Sequence, residues 1–242
     1  MSLKDNVTIL MPVSPIKSHP DTSIIDNTIA SCRFHFPKAK IIIMSDGLRE
    51  EQESYRERYE EFRFRLSKKL DENTELMEFE SHKHQVAMTR AAMEKVTTPV
   101  ILFVEHDTPI VTDALIEWDG IIQAVMGGAV HSVRLLNEAY MLECHEHLMG
   151  DMMHVAGVRL RKTMQWSQRP HAASAERYRF WLGEHFSPEA DIFIEHGMHG
   201  VAQDHDWDYT KLTIYCPNDI NIKRSYHTDG RDGDFNDYAT KF

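Results

Sequence analysis

Short apolar runs alternate with amphipathic stretches over the first hundred residues. Residues 7–13 (VTILMPV), 39–44 (AKIIIM) and 99–104 are dense in Ile, Val, Leu and Met, the pattern of strands buried on both faces. Ile24, Ile25, Thr28 and Ile29 recur at helical spacing behind Asp21 or Thr22, either of which can cap a helix, and Pro37 ends that segment. Tyr55, Tyr59, Phe62 and Leu66 recur by threes and fours in charged 50–70, which predicts a long amphipathic helix. A third strand is expected at 76–79 and a helix at 85–96, carrying Val86, Met88, Ala92 and Met93. Strand and helix in strict alternation imply parallel pairing with crossover helices, as in a doubly wound nucleotide-binding sheet.

The second half is less regular. Asp113 is placed to cap a helix through 126, stopped by Gly127-Gly128. Strands are expected at 129–136, 155–164 and 212–215. Ser174 caps a helix through 185, and a further segment begins at 187 and ends near Gly197. Residues 137–153 show no period, 166–171 read as a polar-aromatic loop, and the tail from Tyr226 reads as a surface loop. No repeat or linker divides the chain. It reads as one α/β domain, with a first half at about 1–128 and a second at about 129–242.

Composition narrows the picture. The chain has 242 residues, is 42% hydrophobic and carries a formal charge of −11. It can bury a substantial core, and its acidity argues against a protein that coats nucleic acid. Three dispersed cysteines fit neither a disulfide framework nor a zinc motif. With no signal-like apolar region at the N-terminus and no run of the ~20 apolar residues a membrane helix needs, a cytoplasmic protein without a membrane span is expected.

The chemistry concentrates where Val100–Val104 runs into Glu105-His106-Asp107, before Thr108-Pro109 ends the strand. Open α/β sheets bind ligands at the carboxyl ends of their strands. An acid-x-acid pair there can hold a hard divalent cation against a phosphate.

Four segments in order resemble the GT-A glycosyltransferases, near the large family 2 group: Ile9-Leu10-Met11-Pro12-Val13, Ile41 through Gly47, Thr89-Arg90-Ala91-Ala92, and Phe103 through Asp107. The resemblance implies a GT-A-type sheet, mostly parallel and flanked by helices, whose less regular second half serves the acceptor. It implies a metal-dependent, inverting transfer of sugar from a nucleoside-diphosphate sugar, a UDP-sugar by preference, with Mn²⁺ or Mg²⁺. Pro12, Val13 and Ser14 would line the nucleoside pocket. Asp46 would accept from the base, and Arg90 would lie near base or ribose. Asp107 would hold the metal, and Glu105 would stand nearer the ribose or the metal's water. His227, in Tyr226-His227-Thr228-Asp229-Gly230-Arg231, would be a further metal ligand, with Lys223 and Arg224 on diphosphate oxygens. Glu195 is the first candidate for catalytic base and Asp204 the second. The acceptor is open among glycans, proteins, small molecules and modified DNA bases, and the oligomeric state is open too.

Rival readings remain beside it. A nucleotidyltransferase would want a Gly-rich basic loop after the first strand, where 14–20 has one Lys and no Gly. A non-catalytic sugar-binding module has no need of Asp46, Asp107 and His227. His82-Lys83-His84 and His145-Glu146-His147 each place two imidazoles two positions apart, but neither has a third ligand at zinc-like spacing nearby. Trp166 through His171 offers an aromatic face beside several donors, a surface on which sugars stack.

Overall fold

The computed structural model describes residues 2–228. The first half is built from β1 (Val7–Val13), α1 (Ser23–His35), β2 (Lys40–Ser45), α2 (Arg56–Ser67), β3 (Thr74–Glu78), α3 (His84–Met93) and β4 (Val100–Phe103). The second half contains α4 (Trp118–Met126), β5 (Ser132–Arg134), β6 (Met149–Val155), β7 (Val158–Thr163), β8 (His171–Ser174), α5 (Ala175–Glu184), α6 (Ile194–Asp204), α7 (Trp207–Thr210) and β9 (Leu212–Tyr215). One sheet holds all nine strands in the order β3-β2-β1-β4-β8-β5-β9-β7-β6. Every pairing among β1 to β4 is parallel, and so is β5 with β9. Strand β8 runs antiparallel between β4 and β5, and the β6–β7 hairpin closes the far edge.

The alternation of side chains along each strand sorts the core into two layers. Ile9, Met11, Ile41, Ile43 and Leu102 pack with α1, α2 and α4, through Ile25, Phe62, Leu66 and Ile121. Leu10, Ile42, Ile101 and Phe103 pack with α3, α5 and α6, through Val86, Trp181 and Met198. Helices thus cover both faces, which explains why β1, β2 and β4 carry no polar alternation.

Several elements depart from expectation for local reasons. The helix expected over 50–70 is a 3-10 turn at Glu50–Tyr55 followed by α2. The helix expected from Asp113 starts only at Trp118, because backbone groups before it are engaged by Arg224: Leu115 O accepts from Arg224 Nε and the Val111 amide donates to Arg224 O. Ala156 and Gly157, both at positive φ, turn the hairpin inside the stretch read as one strand. The aperiodic 137–153 supplies a 3-10 turn at Glu143–Leu148 and most of β6, which runs on to Val155. Strand β8 starts at His171, the last residue of the expected loop, and covers Ala172 and Ala173, for which no element was expected. Ser174 does cap α5, its hydroxyl accepting from the Arg177 amide at 3.3 Å.

Candidate active site

The connection β1–α1–β2 leaves β1 on one side and β3–α3–β4 returns on the other, so the strand order reverses between β1 and β4. That switch point is where open α/β sheets place their ligands. The carboxyl ends of β1, β2 and β4 share this edge, which gathers Pro12, Val13 and Ser14, Asp46, and Glu105 to Asp107. Backbone bonds fix their register: His106 N to Pro12 O at 3.3 Å, and Asp46 N to Val13 O at 2.9 Å. Pro12 and Val13 are buried and Ser14 is exposed.

The C-terminal segment completes the edge. Residues 224–228 run antiparallel to 107–111: Val111 N bonds Arg224 O, Tyr226 N bonds Pro109 O, and Thr228 donates to Asp107 O from both its amide (3.0 Å) and its hydroxyl (3.2 Å). Asp107, 4% exposed, and His227 are therefore neighbours, although 120 residues part them in sequence. The His227 ring meets the Asn137 amide at 2.9 Å through Nδ1, and Ser225 bonds the same Asn137. Asn137 Nδ2 faces Nδ1 while Asn137 Oδ1 accepts from the Ser225 hydroxyl, so the ring as placed accepts at Nδ1 and carries its proton on Nε2; turning the amide over, so that Nδ1–H donates to Oδ1, frees the Nε2 lone pair for a cation. Asp229, Gly230 and Arg231 of this motif lie outside the described residues.

Asp46 is 3% exposed and its carboxylate accepts four bonds from within the chain. Gly47 N (2.8 Å) and Lys83 N (2.7 Å) reach Oδ1, and His84 N (3.1 Å) and His82 Nδ1 (2.9 Å) reach Oδ2. A carboxylate so placed caps the N-terminus of α3 with charge as well as hydrogen bonds. Gly47 is required, since a Cβ there would lie 2.1 Å from the Ser81 carbonyl carbon. Arg63, which sequence reasoning passed over, ties the ends of β2 and β3 by donating to Ser45 O, Asp46 O and Phe79 O.

Two arginines expected at the nucleotide are engaged inside the fold instead. Arg90 donates to Leu182 O, Phe186 O and Ser187 O at 2.5–2.7 Å, satisfying carbonyls at the end of α5. Arg224, 2% exposed, bonds Leu115 O, Asn221 O, Lys223 O and the Asp219 carboxylate. Lys223 sets its ammonium 5.8 Å from the Tyr226 ring.

Gln85, also missed, links the two halves. Its Nε2 donates to Glu105 (3.2 Å), and its Oε1 accepts from Gln168 Nε2 (2.8 Å) and from the Ile194 amide (3.0 Å). Gln168 in turn accepts from Trp166 Nε1 at 2.6 Å. The acidic loop, the Trp166 loop and the start of α6 thus share one buried polar chain. Glu195 is half-buried in the first turn of α6, while Asp204 is exposed in its last. The nine-residue helical rise from Glu195 to Asp204 puts them about 14 Å apart. Beside Trp166 lies a small cleft lined by Arg134, Gln165, Ser167, His171 and Thr213. Arg134 is 4% exposed and bonds Gln165 through Nη2, while its Nε and Nη1 find no partner among the described residues. Burial first, and then Arg169, lower its pKa to about 9 against the opposing pull of Glu138 and Glu195.

His82, His84 and Asp191 bring one ring nitrogen each and a carboxylate oxygen within 4.8 Å of one another. Burial, then His82 and Arg49, hold the pKa of His84 below its ordinary value. Asp191, distant in sequence, supplies the third ligand that spacing could not reveal.

Sheet order and edge geometry define a GT-A fold, and solved structures share it. GalNAc-T7, solved with UDP, GalNAc and Mn²⁺, matches 91% of this chain with 43% of its own at 11% identity and a TM-score of 0.55. Residues 1–349 of S. aureus TarS match 96% with 62% of that chain at 12% identity and a TM-score of 0.53. The Pyrobaculum calidifontis mannosyltransferase PcManGT, solved with GDP-Man and Mn²⁺, matches 88% with 55% at 14% identity and a TM-score of 0.52. The chain thus spans about half the length of these structures. No family model matches the chain, and no curated protein matches it in sequence. Among the described residues no helix is long and apolar enough to cross a membrane.

Proposed function

We propose that this chain is a glycosyltransferase that moves a sugar from a nucleoside-diphosphate sugar, a UDP-sugar by preference, to an acceptor hydroxyl with inversion. The ladder between 107–111 and 224–228 carries this assignment, because it sets His227 beside Asp107 at the switch point of a GT-A sheet. A buried carboxylate and an imidazole braced by Asn137 suit a divalent cation such as Mn²⁺ or Mg²⁺. Asp107 and His227 would hold it, with Glu105 adjacent. When bound, it neutralises charge on the departing diphosphate.

The chain's own residues have separate tasks. Pro12 to Ser14 and the 81–85 loop, which Asp46 anchors, wall the nucleoside pocket. Lys223 adds a mobile positive charge for the phosphate oxygens. Glu195 accepts the acceptor's proton, and its place on α6 is set through the bond from Ile194 N to Gln85. The cleft at Arg134 forms the acceptor side; Trp166, 3% exposed and packed against Trp181 and His171, backs it from the core and presents no face on which a sugar could stack.

Thermal unfolding with UDP and GDP, each with and without Mn²⁺, tests this reading. A nucleotide at a hundred times its Kd stabilises by about 2.7 kcal/mol. The expected result is a rise in Tm that needs Mn²⁺ and disappears in Asp107→Ala, together with slow donor hydrolysis in wild type. No nucleotide shift with either metal, or an unchanged shift in Asp107→Ala, would overturn it.

A further inference from the structure

We infer that His82, His84 and Asp191 form a second cation site, separate from Asp107 and His227, which takes a borderline transition-metal ion such as Zn²⁺ or Co²⁺. Two imidazoles and a carboxylate are a donor set for such ions, with the remaining position left to water. Zn–N and Zn–O bonds of about 2.0–2.2 Å in a tetrahedron place donor atoms roughly 3.4 Å apart. His82 Nε2 and Asp191 Oδ1 already lie 3.3 Å apart.

The histidines are held from behind. Buried Asp46 takes the proton of His82 Nδ1 at 2.9 Å, which leaves a lone pair on Nε2. A carboxylate supporting a histidine in this way fixes its tautomer and raises its basicity toward a metal. That lone pair faces the Asp191 carboxylate, an arrangement that calls for positive charge between them. The Arg49 guanidinium now answers it, with Nε 3.2 Å from His82 Nε2. Arg49 is partly exposed and its other ion pair, to Glu51, is long at 3.9 Å, so it can yield to an ion. His84 sits at φ 59, a left-handed conformation that costs a β-carbon-bearing residue, and strain of this kind is kept at ligand clamps. Its ring packs edge-on against Phe193 at 4.3 Å. His84 Nδ1 accepts from the Gln85 amide at 2.8 Å, which holds the ring in place.

The site has a mechanical consequence. A backbone bond from Val86 N to Ile192 O and a side-chain bond from Arg90 Nη1 to Ser187 O already stitch the segment before α6 to α3. An ion shared by His82, His84 and Asp191 closes this clip and restrains the segment that leads to Glu195. The inference stands on these residues alone and does not require sugar transfer.

Metal-depleted protein titrated with Co²⁺ without nucleotide, read by visible d–d absorption and by Zn²⁺ displacement, tests it. Wild type and Asp107→Asn should give the same spectrum. His82→Ala and Asp191→Asn should weaken binding by about 10–100-fold. Arg49→Ala should tighten it by about two- to fivefold, the worth of a lost surface charge contact. A gain of affinity is not a consequence of misfolding, and Asp191 is exposed enough to be changed safely. A spectrum unchanged in both His82→Ala and Asp191→Asn, or lost in Asp107→Asn, would overturn the proposal.

Discussion

Strands β4 and β8 lie side by side in the sheet, are both four residues long and are both buried, yet they are made of opposite material. Val100-Ile101-Leu102-Phe103 brings its own reason to be inside. His171-Ala172-Ala173-Ser174 does not. Its place comes from partners: the His171 ring stacks on Phe103 at 5.3 Å and on Tyr178 at 5.8 Å, and its nitrogens reach Arg169 O (2.8 Å) and Tyr178 Oη (3.2 Å). The first half is therefore an apolar platform, and the second half is docked onto it both by apolar packing, of Trp181 and Met198 on Leu10, Ile42 and Phe103, and by polar contacts through Gln85 that must all be satisfied. The fold tolerates error in the platform's surface far better than in the seam.

The largest expected effect separates these halves by function. Removing a positioned general base typically costs 10²–10⁴-fold in rate. Glu195→Gln, in the second half, should lower turnover by about that much while the Mn²⁺-dependent nucleotide shift stays, since the donor sits on the platform. Asp204→Asn, at the exposed far end of the same helix, should change turnover less than about threefold. Loss of nucleotide binding in Glu195→Gln would erase the division, and equal losses in both variants would remove Glu195 from its role.

This division also decides what the sequence disclosed. Strands β1, β2 and β4 were legible because burial on both faces writes itself as an apolar run, and β1 and β9 match their expected bounds. The edge carboxylates were legible because they end such runs. Strand β8 was not, since nothing in His-Ala-Ala-Ser marks a strand until Phe103 and Tyr178 are beside it. Gln85 was not, because its three partners come from three distant segments. Arg90 resembled a base or ribose ligand and Arg224 a diphosphate ligand by position, but a motif records spacing and not where a guanidinium turns. Here the carbonyls of a helix end and of a tight loop claim both. Asp191 was invisible for the same reason as Gln85.

Gln85→Ala sharpens the comparison at the seam. It takes this acceptor from Gln168 Nε2 and the Ile194 amide and removes one donor from Glu105. Buried polar groups stripped of partners cost about 1–3 kcal/mol each, and some relaxation is expected, so a loss of roughly 3 kcal/mol by urea unfolding is the predicted outcome. Gln85→Glu keeps Oε1 as acceptor but puts a second carboxylate against Glu105, and should be intermediate at pH 7 and recover as pH falls. A Gln85→Ala variant as stable as wild type would mean that the halves dock without this chain of bonds.

The smallest effect is a pH dependence, and its sign follows from burial. Desolvation lowers the pKa of His171 and of His131 to about 4 and that of His19 to about 3. Each is neutral in the folded protein. As pH drops below about 6.5, the unfolded chain binds protons the folded chain does not, so stability falls, and the loss continues until the folded pKa is reached. The window is therefore pH 6.5 down to about 4 for His171 and His131, and to about 3 for His19. His171 alone contributes a slope of about 1.4 kcal/mol per pH unit inside that window. Urea midpoints should decline from pH 7 to pH 5, and His171→Gln should lower stability at pH 7 but flatten the decline. Two of the three histidines lie in the second half, so hydrogen exchange at pH 5 should loosen β8 and β5 before β1 and β2. Uniform loosening across the sheet would show that acid acts on the platform and the docked half alike.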